Sequence, residues 1–235
     1  MAAQRVSNER KKELRQLDPL QRNILKAMDF ARYYKKQLLY ISGAVVVVAI
    51  VFAGILTSFK RSEDSASDQV AKAMSAYRNL AEDPDAAYAA VKDDFQNVLT
   101  DYGNTDAGRM ALVRFAGICM EAGQYDEAEK WFEKAYDVLG DQAGLGNFLL
   151  SSLGHVQLAK NNPDAAESYF LRIETNESDL LKDEARFILA KIYETRREDS
   201  KSRKMYDLIA REHGNSIYAG LAQSRVETVA VQQGG

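Results

Sequence analysis

The chain has 235 residues, room for one domain of ordinary size with extensions, and only three of them are proline. Its single cysteine, Cys119, excludes an internal disulfide and leaves no company for a Cys-based metal or redox motif. The net charge of −3 hides a division: residues 1–37 hold ten Lys and Arg against four Asp and Glu, residues 60–235 hold twenty-one against thirty, and nothing from Leu38 to Phe59 is charged. A chain whose larger part is acidic is poorly suited to nucleic acid.

In chain order, the first predicted element follows Asp18-Pro19, an N-cap with proline at the first helical turn. Leu20, Ile24, Met28 and Ala31 then recur at near-helical spacing with Arg22, Lys26 and Arg32 among them. Two readings fit this helix: it lies on an anionic membrane surface or docks on a membrane partner, or it only extends the segment that follows. That segment, Leu38–Phe59, has 22 uncharged residues. At about 1.5 Å per residue it forms a helix of roughly 33 Å, enough to cross a hydrocarbon core of about 30 Å. Lys35 and Lys36 close one end, Lys60 and Arg61 the other, and Tyr33, Tyr34, Tyr40 and Phe59 sit where interfacial aromatics belong. A cleaved signal has a shorter apolar stretch and a shorter basic start. The excess of positive charge before the segment predicts a cytoplasmic N-terminus and an exported C-terminal part.

Beyond a short polar stretch at residues 61–67 (RSEDSAS), amphipathic helices come in pairs. A small residue falls at Ala116, Gly154 and Ala190 in the first helix of each pair, and at Ala128, Ala166 and Ser202 in the second, both at spacings of 38 and 36. An aromatic follows four residues later, at Phe132, Phe170 and Tyr206. Helices approach to about 8 Å only where the side chains at the crossing are small, so these positions predict where the paired helices touch. Phe95–Gly108 and Tyr206–Ala219 both end a helix at Gly-Asn and restart at Thr105 or Ser216. Residues 66–102 therefore read as a divergent first pair, and 216–230 as a terminal capping helix.

The register resembles the tetratricopeptide repeat, with antiparallel helix pairs of about 34 residues. Gly140 and Gly214 stand where the closing proline is usual, and Gln157 where an aromatic is common. The implied fold class is all-α: a single N-terminal transmembrane helix followed by a tetratricopeptide-repeat α-solenoid. The implied organisation is a basic cytoplasmic segment at 1–37, a transmembrane helix at 38–59, a linker at 60–67, a repeat domain with its capping helix at 68–230, and a disordered tail at 231–235. In such repeats the first helices line a concave binding surface. The corresponding positions here are Met110, Val113, Gly117, Met120 and Glu121, then Phe148, Ser151, His155, Leu158 and Ala159, then Glu184, Phe187, Lys191, Glu194 and Thr195. Met110, Val113, Met120, Phe148, Ser151, His155, Leu158, Phe187 and Lys191 form the expected partner-binding groove, unless those side chains fill it themselves.

No catalytic constellation is visible. His155 and His213 belong to no HExxH pattern, and Gly140–Gly146 lacks the lysine and preceding strand of a phosphate loop. The expectation is a protein-binding scaffold, not an enzyme, with no cofactor and no metal. From about residue 30 to 230 the architecture resembles the YfgM-like family, ancillary subunits of the SecYEG translocon that sit in the inner membrane and bring periplasmic chaperones near emerging chains. That resemblance implies a single-pass inner-membrane protein with a periplasmic repeat domain, whose partners are translocon subunits, chaperones or client proteins. An adaptor in another envelope system, such as outer-membrane protein insertion, cell-wall synthesis or a secretion apparatus, would use the same parts.

Overall fold

The computed structural model describes residues 19–142 and 144–233, with side chains over 22–142 and 144–227. The cap expected at Asp18 and the tail expected at Gly234 and Gly235 lie outside the described residues. Among those described, all regular structure is helical. The ten helices are α1 (Pro19–Tyr33), α2 (Lys35–Asn79), α3 (Pro84–Asp101), α4 (Asp106–Glu121), α5 (Tyr125–Leu139), α6 (Leu145–Ala159), α7 (Pro163–Glu174), α8 (Lys182–Thr195), α9 (Asp199–Glu212) and α10 (Ala219–Gln233). The chain divides into two compact units, residues 1–59 and 60–235.

The first unit consists of α1 and the apolar part of α2, separated by Tyr34 alone. Every residue from Leu38 to Phe59 is exposed, including Leu39 at 70% and Val48 at 67%. A core helix of a soluble domain would bury such a run, because each large apolar side chain left in water forgoes about 1.5–3 kcal/mol. The helix is long and apolar enough to cross a membrane.

The linker expected at 60–67 is corrected by the structure: those residues are helical and lie within α2. Ala66 and Ala73, seven residues apart, are fully buried. Glu63 reaches the start of α4, where its carboxylate accepts from the N–H groups of Asp106 and Ala107 at 2.8 and 2.9 Å. A carboxylate there satisfies orphan donors at the positive end of the helix.

In the second unit the later part of α2 and α3 share one core, the pairs α4–α5, α6–α7 and α8–α9 follow, and α10 packs on the last of them. From α3 onward each helix packs on its neighbours in sequence. Local signals start several of them: Asp83 accepts from Ala86 N at 3.0 Å, Thr105 from Gly108 N at 2.9 Å and Asn162 from Ala165 N at 3.4 Å, with Pro84 and Pro163 in first turns. The repeat register is seated where the small residues predict. Ala116, Ala128, Ala166 and Ala190 are fully buried and Ser202 nearly so, with Phe132, Phe170 and Tyr206 buried beside them. At Gly154 an added Cβ would stand 2.6 Å from the Phe170 ring, so only glycine fits.

Helices α4, α6 and α8 end in the same way. Gly123, Asn161 and Arg197 have φ of 67, 57 and 59°, in the left-handed region. The following N–H bonds back five residues, Gln124 to Cys119 O, Asn162 to Gln157 O and Glu198 to Tyr193 O, at 2.8–2.9 Å. These paired bonds absorb carbonyls that the helix end leaves free. Gly103, where the sequence ends α3, is not left-handed; its lack of a Cβ matters because one would meet Leu99 O at 2.7 Å.

Candidate interaction surface

Helices α4, α6 and α8 carry the positions expected to face a partner. Met110 and Phe148, both near the starts of their helices, are 41% and 43% exposed. They occupy the same repeat position, and Glu184 is the third member of that set. Val113 and Met120 are half-buried against the core that also takes Val70, Met74 and Tyr77 of α2. Val113 and Met120 thus pack into the chain's own core, while Met110 and Phe148 stay exposed near the starts of α4 and α6.

The next three positions are tied together. Glu184 of α8 accepts from Ser151 Oγ at 2.9 Å and pairs with His155 Nε2 at 3.0 Å, both on α6. Ser151 is buried, and His155 stands edge-on to Phe170 with ring centroids 5.5 Å apart. The bond from His155 holds the Glu184 carboxyl below the usual range, against the opposing effect of its burial. Ser151 thus donates to a carboxylate whose other oxygen is engaged with His155.

Leu158 and Lys191 line a cleft of about 220 Å³ with Pro163, Ile188, Ile192 and others. Lys191 also pairs with Glu194 at 2.7 Å. Phe187 stacks on Tyr218 with centroids 4.4 Å apart, so the approach to α10 closes the last of these positions. Cys119 is buried near Glu127, and burial pushes its thiol up to about 12, out of reach of the thiolate chemistry a nucleophile needs. His213 has a buried Nε2 without a hydrogen-bond partner, and among the described residues no three His, Cys, Asp or Glu side chains converge to hold a metal.

Two sets of contacts between repeats escaped the sequence reading. Glu129 of α5 accepts from Gln157 Nε2 at 2.7 Å and Lys160 Nζ at 2.6 Å. Glu167 of α7 accepts from Tyr193 Oη at 2.8 Å and binds Arg196, which also reaches Asp164 at 2.5 Å. Each carboxylate thus ties one pair to the next through equivalent positions. Gln157, which breaks the aromatic pattern, puts an amide donor where Tyr193 puts a hydroxyl. Arg186, buried to 4% exposure, holds Glu174 through two bonds of 2.7 and 3.1 Å and Glu212 at 2.7 Å. Such pairings were illegible in the sequence because carboxylates at helical spacing look the same whether they face water or a neighbour.

A stack of paired helices with an apolar, partly open row on its first helices, and with its polar side chains spent on holding the stack together, is the architecture of a protein–protein interaction scaffold, a fold type that is not itself catalytic. The chain belongs to the tetratricopeptide repeat-like domain family, whose model matches residues 33–186. A solved structure of PilF from Pseudomonas aeruginosa is similar to it, with a TM-score of 0.47 and 20% identity over 75% of this chain and 87% of that one. No curated protein matches the chain.

Proposed function

We infer that this protein is a membrane-anchored scaffold whose exported repeat domain binds chaperones or client proteins at the export machinery of the inner membrane. Residues 38–59 serve as the single span, with the basic residues 1–37 in the cytoplasm and the acidic repeat domain in the periplasm. The family match begins at residue 33, so it takes in the apolar segment together with the repeats. This supports the YfgM-like reading, in which tether and repeats act as one device.

The observation that carries the binding role is the pair Met110 and Phe148, large apolar side chains left exposed at the same position of consecutive repeats. Methionine and phenylalanine there offer an adaptable apolar contact suited to more than one partner. Val113, Met120, Ser151, His155, Leu158, Phe187 and Lys191 are proposed as its supporting wall.

Photo-crosslinking in intact cells tests the reading, with the reactive group at Phe148 and, as a control, at Val138 on α5, which is also exposed. Translocon subunits and periplasmic chaperones recovered at Phe148 and not at Val138 are the expected result. Recovery of cell-wall or outer-membrane assembly components instead would move the scaffold to another envelope system. Equal recovery at both sites would overturn the assignment of this face.

A further inference from the structure

Helix α1 has a feature that the scaffold role leaves unused. Ile24, Ala27, Met28 and Ala31 follow at i, i+3, i+4 and i+7 and share one face. Ile24 is 54% exposed and Met28 45%, and Leu25 beside them is 45% exposed. Arg22 and Lys26 lie on the opposite side of the helix, and Arg32 at the flank. Residues 22–36 contain five Lys and Arg and one acidic residue, Asp29.

The position of this helix limits what could cover it. Only Tyr34 separates α1 from α2, and the uncharged segment starts at Leu38, three residues into α2. At the junction Phe30 and Tyr33 both contact Tyr34, with centroids 4.6 and 4.7 Å away. Aromatic side chains of this kind concentrate at the boundary between headgroups and acyl chains.

We propose that α1 lies along an anionic membrane surface, with Ile24, Ala27 and Met28 in the acyl boundary and the arginines and lysines among lipid phosphates. The proposal rests on residues 38–59 spanning the same bilayer. A lipid surface meets both demands of the helix at once, since it offers apolar depth on one side and a field of negative charge around it. Covalent attachment to the span holds α1 beside that surface at high effective concentration, so a helix of modest intrinsic affinity stays bound. The charge pattern fits lipid better than a protein groove. The cations are spread around the polar side and along the length of the helix, where a fixed partner would need a carboxylate for each.

The test uses the full chain in nanodiscs, spin-labelled singly at Ile24→Cys, Lys26→Cys or Val47→Cys, with the unsubstituted chain reporting any labelling of buried Cys119. The ratio of oxygen to nickel-chelate accessibility reads the depth of each label. In discs half composed of phosphatidylglycerol, the ratio at position 24 is expected to be several-fold higher than at position 26. In pure phosphatidylcholine, or with about 0.5 M sodium chloride, where screening is nearly complete over a helix diameter, the difference is expected to shrink. Equal, aqueous ratios at 24 and 26 in the anionic discs would overturn the proposal and leave α1 to a protein partner. A buried label at 24 that ignores lipid charge would overturn its electrostatic basis. Position 47 reports separately on the span: a membrane-depth value there with an aqueous value at 24 rejects this proposal alone, and an aqueous value at 47 rejects the span as well.

Discussion

At the scale of single residues, the turns that close α4, α6 and α8 show one backbone demand met by three side chains. Gly123, Asn161 and Arg197 all adopt positive φ. Glycine does so freely, asparagine tolerates it, and arginine incurs a steric penalty of about 1–2 kcal/mol. An alanine Cβ at Gly123 would meet nothing within 4 Å, so backbone strain alone decides the effect of substitution there. Gly123→Ala is expected to lower stability by about 1 kcal/mol, and Arg197→Gly to raise it by up to about 1 kcal/mol after the entropy of the freer unfolded chain is subtracted. Urea midpoints of the two variants measure this, and a loss of stability in Arg197→Gly would show that its side chain holds the turn. The small residues at the helix crossings were legible from spacing alone, because Gly154 has no room for a Cβ against Phe170 and Ala128 is fully buried. The left-handed set was harder to see, since Arg197 has none of the composition that marks such a turn.

At the scale of helices, polar ties decide how one pair meets the next. The Glu184 carboxyl is held below its ordinary range chiefly by His155. A carboxyl whose folded pKa is depressed adds stability above its unfolded value and loses it as pH falls through the lower, folded value. The domain is therefore expected to weaken as pH falls below about 4.5, the region of an unperturbed glutamate. Glu184→Gln should flatten that part of the profile, and an unchanged acid slope would mean the bond between α6 and α8 contributes nothing. The polar stretch 61–67 belongs to this scale too. Its serines and acids look like a tether, yet Ala66 finds a buried seat and Glu63 finds the start of α4, some forty residues away. Tertiary packing overrides local propensity there, as it often does in short polar segments.

At the scale of the whole molecule, the charge division supports the proposed orientation, with the basic end inside and the repeat domain outside. Protease added to intact spheroplasts is expected to remove the repeat domain and leave a fragment of about residues 1–60, with topology set by the same rule. Protection of the domain until the membrane is lysed would reverse the orientation and, with it, the choice of partners. What the sequence determined unaided was whatever depends on local periodicity: the uncharged span, the helix pairs and their register, and the positions that must stay small. Each of those is set by a repeating constraint within a few turns of helix. Only the tertiary structure decided that Val113 and Met120 pack into the core that α2 also joins, that Ser151 and His155 bond to Glu184, and that Met110 and Phe148 stay exposed. The reason is physical: burial depends on what a distant segment brings against a side chain, and the sequence near that side chain does not contain it.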